Sequence, residues 1–327
     1  KPANHKFDRN EENPLDADLI VLDEMSMVDI VLMHRLLKAV KTYTRLLLVG
    51  DVDQLPSVGA GNILRDLISS GRVATVRLSR IFRQQEGSTI IDNAHRINAG
   101  DMPVLNSKSD DANFFFANQP DAENALQMVV SLIMEKIPAK FKLDPMREIQ
   151  VISPMYRGAV GVDNLNALLQ NRLNPSKDIQ CGSRVFRIGD RVMQIKNNYD
   201  KEVFNGDVGW IKHVNIEEHT LHVEFPEHTV AYDFSDTDQL VLAYAITVHK
   251  SQGTEYPAVV LPLATQHYPM LQRNLLYTAI TRAKDLVVVV GSVKAVALAV
   301  KNNKIEERYS ALSEKIVLAL ERREMIL

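Results

Sequence analysis

Apolar residues in this chain come in two textures. In the first, short unbroken runs alternate with amphipathic helical stretches. Leu19-Ile20-Val21-Leu22 follows Asp18 and ends in Asp23-Glu24, a helical pattern runs over 28–40, and Arg45-Leu46-Leu47-Leu48-Val49 then stops at Gly50-Asp51. Runs of this kind separated by helices predict buried parallel strands of an α/β sheet. The texture returns at Ile149-Gln150-Val151-Ile152, stopped by Ser153-Pro154, with a helix over 161–173, strands over 258–261 and 286–290, and a tail over 294–327 that reads as helix. The second texture fills 182–240. Arg184-Val185-Phe186-Arg187-Ile188 alternates polar and apolar, Asn205-Gly206-Asp207 signals a hairpin turn, and 208–214, 221–225 and 230–234 read as short alternating strands. This predicts a small antiparallel barrel inserted into the second α/β region. Phe114-Phe115-Phe116 reads as a core strand more than as a base-stacking platform.

Composition narrows the picture only slightly. Of 327 residues, 46% are hydrophobic and 24% charged, ordinary for a soluble globular chain. The length suits two domains, or one with an insertion. A net charge of -3 means that any nucleic-acid contact relies on a local groove rather than a bulk basic field. One cysteine, Cys181, excludes an internal disulfide and fits a reducing, cytoplasmic setting. No apolar run approaches the roughly 20 residues that span a bilayer, so no membrane is expected. The chain begins at Lys1, without Met, and runs through a polar stretch straight into a strand. It is expected to be a piece of a longer protein.

Candidate chemistry sits at strand ends. Ligands of open α/β sheets bind at the carboxyl ends of strands, where Asp23-Glu24 and Gly50-Asp51 fall. An aspartate at position 23 suits Mg²⁺, directly or through water, and Glu24 suits orientation of an attacking water. Alone, the pattern describes a solvated strand end equally well. One strand later, Gln54 in Gly50-Asp51-Val52-Asp53-Gln54-Leu55-Pro56-Ser57-Val58-Gly59 suits contact with a γ-phosphate or its water. Arg80 and Arg83 in Ser79-Arg80-Ile81-Phe82-Arg83-Gln84, and Arg282 in Thr278-Ala279-Ile280-Thr281-Arg282-Ala283, suit stabilisation of charge on a transferred phosphoryl group, or are ordinary surface cations. Thr247-Val248-His249-Lys250-Ser251-Gln252-Gly253-Thr254-Glu255 suits phosphate or sugar contact, with Glu255 available to a ribose hydroxyl. His213, His219, His222 and His228 match no usual zinc spacing and read as exposed or half-buried.

Together these segments resemble the RecD-like DNA helicases of superfamily 1B, in the order of the family's motifs. Leu22-Asp23-Glu24-Met25-Ser26-Met27-Val28-Asp29 looks like motif II, 50–61 like motif III, Ile81-Phe82-Arg83-Gln84 like motif IV, 248–255 like motif V and 275–283 like motif VI. Ser153-Pro154-Met155-Tyr156-Arg157-Gly158 is similar to the link into the family's second motor domain, and Phe204-Asn205-Gly206-Asp207-Val208-Gly209 to its SH3-like barrel. The resemblance implies P-loop NTPase-type (RecA-like) parallel sheets, one partial and one complete, with an inserted antiparallel SH3-like β-barrel. It places the end of the first motor domain at 1–78, the second at 79–182 and 241–327, and the barrel at 183–240. It implies ATP and Mg²⁺ as cofactors, Asp23 on Mg²⁺, Glu24 as catalytic base, Gln54 as γ-phosphate sensor, Arg83 and Arg282 on that phosphate, Gly253 beside the nucleotide and Glu255 on the ribose. Single-stranded DNA would lie near Ser57, Tyr156, Arg157, Thr247 and His249, with movement 5′ to 3′ towards single-strand/duplex junctions in DNA repair or recombination. The implied protein is a monomer, with a single-stranded-DNA-binding protein or nuclease subunits as candidate partners. A non-catalytic DNA-binding or scaffold subunit of a recombination nuclease complex, and an RNA helicase of the same superfamily, are the competing readings. The stand-alone branch of the family fits the wording of motif V and the barrel better than the nuclease-complex branch. One departure is large. None of the 14 glycines is followed by lysine, so the sequence holds no Gly-x-x-x-x-Gly-Lys-[Ser/Thr] loop, and the chain alone is expected to hydrolyse almost no ATP.

Overall fold

A computed structural model describes residues 7–78, 88–107, 112–303 and 310–324, with side chains to 322. Arg80 and Arg83, with the rest of the stretch resembling motif IV, lie outside the described residues. The chain divides into two compact units, 1–81 with 304–327, and 82–303.

In the first unit, β1 (Leu19–Leu22) and β2 (Arg45–Leu48) pair in parallel, Leu22 opposite Leu48. Between them runs α1 (Ile30–Ala39), two residues later than the apolar pattern suggested. Asp29 sets that start: its Oδ1 accepts the Leu32 amide at 2.7 Å, a side-chain N-cap. After β2 comes α2 (Ile63–Ser69). Leu22 and Leu48 pack against Met25, Met33, Ile63 and Leu64. The opposite face of the strand pair is not buried as the sequence predicts: Leu19, Val21 and Leu47 are exposed, because no described element covers them.

The second unit opens with α3 (Thr89–Ala99) and β3 (Phe114–Asn118), then α4 (Ala122–Ser131), which continues through a π-helical turn into α5 (Ile137–Phe141). Next come β4 (Ile149–Ser153) and α6 (Val162–Leu173). Seven short strands follow: β5 (Ile179–Cys181), β6 (Arg184–Phe186), β7 (Arg191–Gln194), β8 (Val208–Asn215), β9 (Thr220–Glu224), β10 (Thr229–Asp233) and β11 (Leu240–Leu242). The chain then returns to the α/β layer through β12 (Ala245–Thr247), β13 (Tyr256–Leu263), α7 (Arg273–Ile280), β14 (Ala283–Gly291) and α8 (Val293–Lys301). The layer is one parallel sheet in the order β12-β4-β13-β14-β3. Its central strands are largely apolar and buried on both faces. Val151, Val260, Val288 and Val290 pack with Leu126, Val129, Ile133, Leu165 and Leu169 from α4, the π-helical turn and α6. Phe114 is buried in β3, the core strand the sequence predicts.

The small module is antiparallel, in the order β10-β9-β8-β7-β11, beside the β5–β6 hairpin. Cys181, Phe186, Val192, Ile211, Leu221, Val223, Tyr232 and Leu240 fill it. Buried polar groups tie it to the parallel sheet. The Asp190 carboxylate accepts from Gln170 Nε2 (2.7 Å), Asn174 Nδ2 (2.8 Å), the Tyr244 hydroxyl (2.9 Å) and the Arg187 amide (2.7 Å). Arg191 donates from Nη1 to the Ile149 carbonyl at 3.0 Å and lies beside the rings of Trp210 and Tyr256.

The tail is two helices rather than one. After α8, Asn302 turns away to donate to the Leu271 carbonyl at 2.8 Å, and a last helix, α9 (Leu312–Glu324), follows. The sequence grouped α9 with the second motor domain. It packs instead against α2 in the first unit, where the Ser310 hydroxyl donates to Asp66 at 2.5 Å.

Candidate functional site

The first unit fixes two acidic loops at the same end of its strand pair. Leaving β1, Asp23 Oδ1 accepts the Glu24 amide at 2.7 Å, and Glu24 turns left-handed at φ 51°. The Met25 amide then donates to the Val49 carbonyl, one residue past β2, at 3.0 Å. This close approach leaves no room at Gly50, where a Cβ would lie 2.9 Å from the Met25 nitrogen. Asp51 organises the second loop: Oδ1 accepts the Asp53 amide at 2.9 Å, and Oδ2 takes the Gln54 carboxamide nitrogen at 3.4 Å. A Cβ at Gly59 would run into Asp29, so the loop is seated on the cap of α1, and the Ile30 amide donates to the Ala60 carbonyl at 2.9 Å.

Asp23 is exposed and Glu24 and Gln54 are half-buried at this end. Gln54 Oε1 is buried without a hydrogen-bond partner among the described residues. A buried acceptor without a donor is uncommon and marks a place for water or ligand. Ser57 lies inside the loop, buried, with its hydroxyl donating to the Gly59 carbonyl at 3.2 Å.

The second unit distributes its predicted residues over both ends of its sheet. Arg282 and Glu255 immediately precede β14 and β13, at the amino ends, where Tyr256 pairs with Ala283. Arg282 is 3% exposed. Its Nε donates to the Thr278 carbonyl (3.2 Å) and one Nη to the Thr254 carbonyl (3.3 Å), holding α7 against the loop of Gly253, itself at φ +75°. Glu255 pairs with Lys284 at 3.3 Å.

At the carboxyl ends, Thr247 of β12 pairs with Ser153 of β4. Thr247 is buried, its hydroxyl accepting the Lys250 amide at 3.3 Å, which shapes the turn that presents His249. Burial pushes His249 and Lys250 below their ordinary pKa values. Tyr156 and Arg157, on the loop after β4, are exposed. His213 and His222 face each other across β8 and β9 with ring centroids 5.8 Å apart, and no metal-binding group of His, Cys, Asp and Glu is found among the described residues. No helix among them is long and apolar enough to cross a membrane.

Sequence reading gave no structural role to Asp29, to Asp51 as organiser of the Gln54 loop, or to His267. His267 is fully buried in a turn after β13, its Nδ1 taking the Ala264 amide at 3.3 Å, and burial lowers its pKa from 6.5 to about 4. The unfolded chain takes up this proton near pH 6.5 and the folded chain only near 4. Stability is therefore intact above 6.5 and falls as pH drops towards 4, by an amount on the order of 3 kcal/mol. Thermal unfolding followed between pH 7 and 4.5 should show this loss, and His267→Gln should flatten that part of the profile. An unchanged profile in the variant would remove His267 as its source.

Three family models match the chain in sequence: an AAA domain over 4–115, the ATP-dependent RecD-like DNA helicase SH3 domain over 165–225, and the UvrD-like helicase C-terminal domain over 242–290. These matches, with the parallel sheet and its inserted antiparallel module, define the P-loop NTPase-type fold found in helicases. In sequence the chain is similar to RecD-like helicases over nearly its whole length. It is 36% identical over 311 residues to the ATP-dependent RecD2 DNA helicase of Deinococcus radiodurans, covering 95% of this chain and 41% of that protein. It is 31% identical over 310 residues to the RecBCD enzyme subunit RecD of Mycolicibacterium smegmatis, covering 92% and 54%. The chain thus spans about half the length of these relatives. In fold it is similar to the Pif1 helicases of Bacteroides (TM-score 0.56, 17% identity, 98% of this chain and 81% of that one) and of Candida albicans (TM-score 0.53, 18% identity, 93% and 77%).

Proposed function

We propose that this chain is the part of an ATP-dependent DNA helicase that acts on the γ-phosphate and on single-stranded DNA, moving 5′ to 3′. The observation that carries the reading is the fixed pairing of the Asp23-Glu24 turn with the Gln54 loop, together with the orphaned Gln54 Oε1. Asp23 is exposed and spends one carboxylate oxygen on the adjacent amide, a donor that fits Mg²⁺ held directly or through water. When bound, Mg²⁺ neutralises charge on the phosphoryl oxygens. Glu24 orients the attacking water and accepts its proton, and Gln54 reports the γ-phosphate through its unpartnered oxygen. Arg282 stabilises charge on the transferred group, and Glu255, beside Lys284, meets the ribose. Arg83 keeps the role the resemblance implies.

DNA contact falls to Tyr156, Arg157 and His249, while Thr247 and Ser57 shape the loops from within. A stacked aromatic with a neighbouring cation is the usual equipment for an unpaired strand. The longer protein should hydrolyse ATP weakly alone and strongly with single-stranded DNA. It should displace streptavidin from a 3′ end and leave it on a 5′ end. Equal displacement from both ends, or hydrolysis indifferent to DNA, would remove the reading.

A further inference from the structure

The carboxyl edge of the parallel sheet continues past the residues assigned to DNA. Next to β4 lies β13, which runs into a 3-10 turn, Thr265–Met270. Within it His267 is buried, as is Leu271 just after it, whereas Gln266 is exposed and Tyr268 is 68% exposed. The turn is pinned from below, by His267 accepting the Ala264 amide and by Leu271 in the core. A tyrosine so exposed on so anchored a turn loses little freedom on meeting a ligand. Its ring has no aromatic or cation contact among the described residues. The turn also touches the loop already assigned: a Cβ on Gly158, one residue beyond Arg157, would lie 3.1 Å from the Gln266 carboxamide nitrogen. Three neighbouring loops therefore follow three adjacent strands, His249 after β12, Tyr156-Arg157 after β4 and Gln266-Tyr268 after β13. Adjacent strands lie about 4.8 Å apart, so the row covers about 10 Å. That matches about three bases if they keep the roughly 3.4 Å per-strand rise of helical DNA, and fewer in an extended strand.

We propose that the turn after β13 is a third DNA contact on this edge, in which the Tyr268 ring stacks on a base and the Gln266 carboxamide hydrogen-bonds the same nucleotide. The proposal rests on the single-stranded-DNA reading of this edge. Stacking is indifferent to base identity, because every base has a π face, so the contact suits a motor that passes over any sequence. It carries no charge, which separates it from Arg157.

Binding of a fluorescent oligo-dT to the longer protein, measured by polarisation across a salt series, tests it. Tyr268→Ala should weaken binding about tenfold at every salt concentration, leaving the slope of log K against log[salt] unchanged, and Tyr268→Phe should bind as the parent does. Gln266→Ala should weaken binding less than Tyr268→Ala. Arg157→Ala should both weaken binding and lower the salt slope, as loss of a phosphate contact does. Unchanged binding by Tyr268→Ala alongside weakened Arg157→Ala would overturn the third contact and leave the DNA reading standing. Equal loss in Tyr268→Phe and Tyr268→Ala would overturn stacking. If none of the variants, Arg157→Ala included, loses affinity, the DNA reading of the edge falls with the proposal.

Discussion

Glu24→Gln in the longer protein should lower DNA-stimulated ATP hydrolysis by about a thousandfold, within the range of general-base catalysis, while single-stranded DNA binds as before. Glutamine keeps the shape of glutamate and its ability to sit in the left-handed turn at φ 51°, so the local backbone should not change. Asp23 keeps its hydrogen bond, because its partner is the backbone amide of residue 24 and not that side chain. Gln54 is fixed from its own loop through Asp51. The substitution therefore removes one property, the ability to take a proton from water. Steady-state hydrolysis and oligonucleotide affinity, measured on the same preparation, separate the motor from its rival. A scaffold that merely retains the fold would show no change in either. Joint loss of hydrolysis and DNA affinity would point to collapse of the loop pair, and would deny Glu24 the role of base.

Much of this site was legible in the sequence because its positions are set by strand ends. An apolar run of four ending in Asp-Glu, and another ending in Gly-Asp, place both loops at one edge once the strands pair in parallel, and they pair with Leu22 opposite Leu48. The inserted module was legible for a related reason: a switch from unbroken to alternating apolar residues changes the predicted element directly. The boundary of the last unit was not. The helix α9 joins the first unit through tertiary contacts with α2, and no local pattern states which of two cores a terminal helix will choose. The exposure of Leu19, Val21 and Leu47 was equally hidden, since a run of apolar residues predicts a need for cover and not its presence. Residues that act by buried hydrogen bonds gave no signal either. Asp29 and Asp51 are unremarkable polar letters until their amide partners are known, and Asp190 and Arg191 look like a solvated pair of charges.

That pair yields the second large effect. Asp190→Ala should destabilise the second unit by about 3–5 kcal/mol, the range for breaking a buried charged network, and lower its melting temperature by roughly 10 °C for a domain of this size. The carboxylate is wholly buried and satisfies four donors, two from α6 and its cap, one from the Tyr244 hydroxyl and one from the Arg187 amide. Removing it leaves those donors facing one another in a space water does not reach. Arg191 is the instructive control. It is nearly as buried, yet it makes one backbone hydrogen bond, its Nε has no partner among the described residues, and burial pushes its pKa down. Its stem and head instead fill the gap between the rings of Trp210 and Tyr256. A methionine of similar length keeps most of that packing and sheds the cost of burying a charge. Arg191→Met should therefore cost about 1–2 kcal/mol, well below Asp190→Ala. Differential scanning calorimetry of the two variants decides the matter. If Asp190→Ala melts like the parent, the module is held to the sheet by the strand connection β11–β12 and apolar packing alone. If Arg191→Met proves the more damaging, the guanidinium and not the carboxylate is what joins the antiparallel module to the parallel sheet.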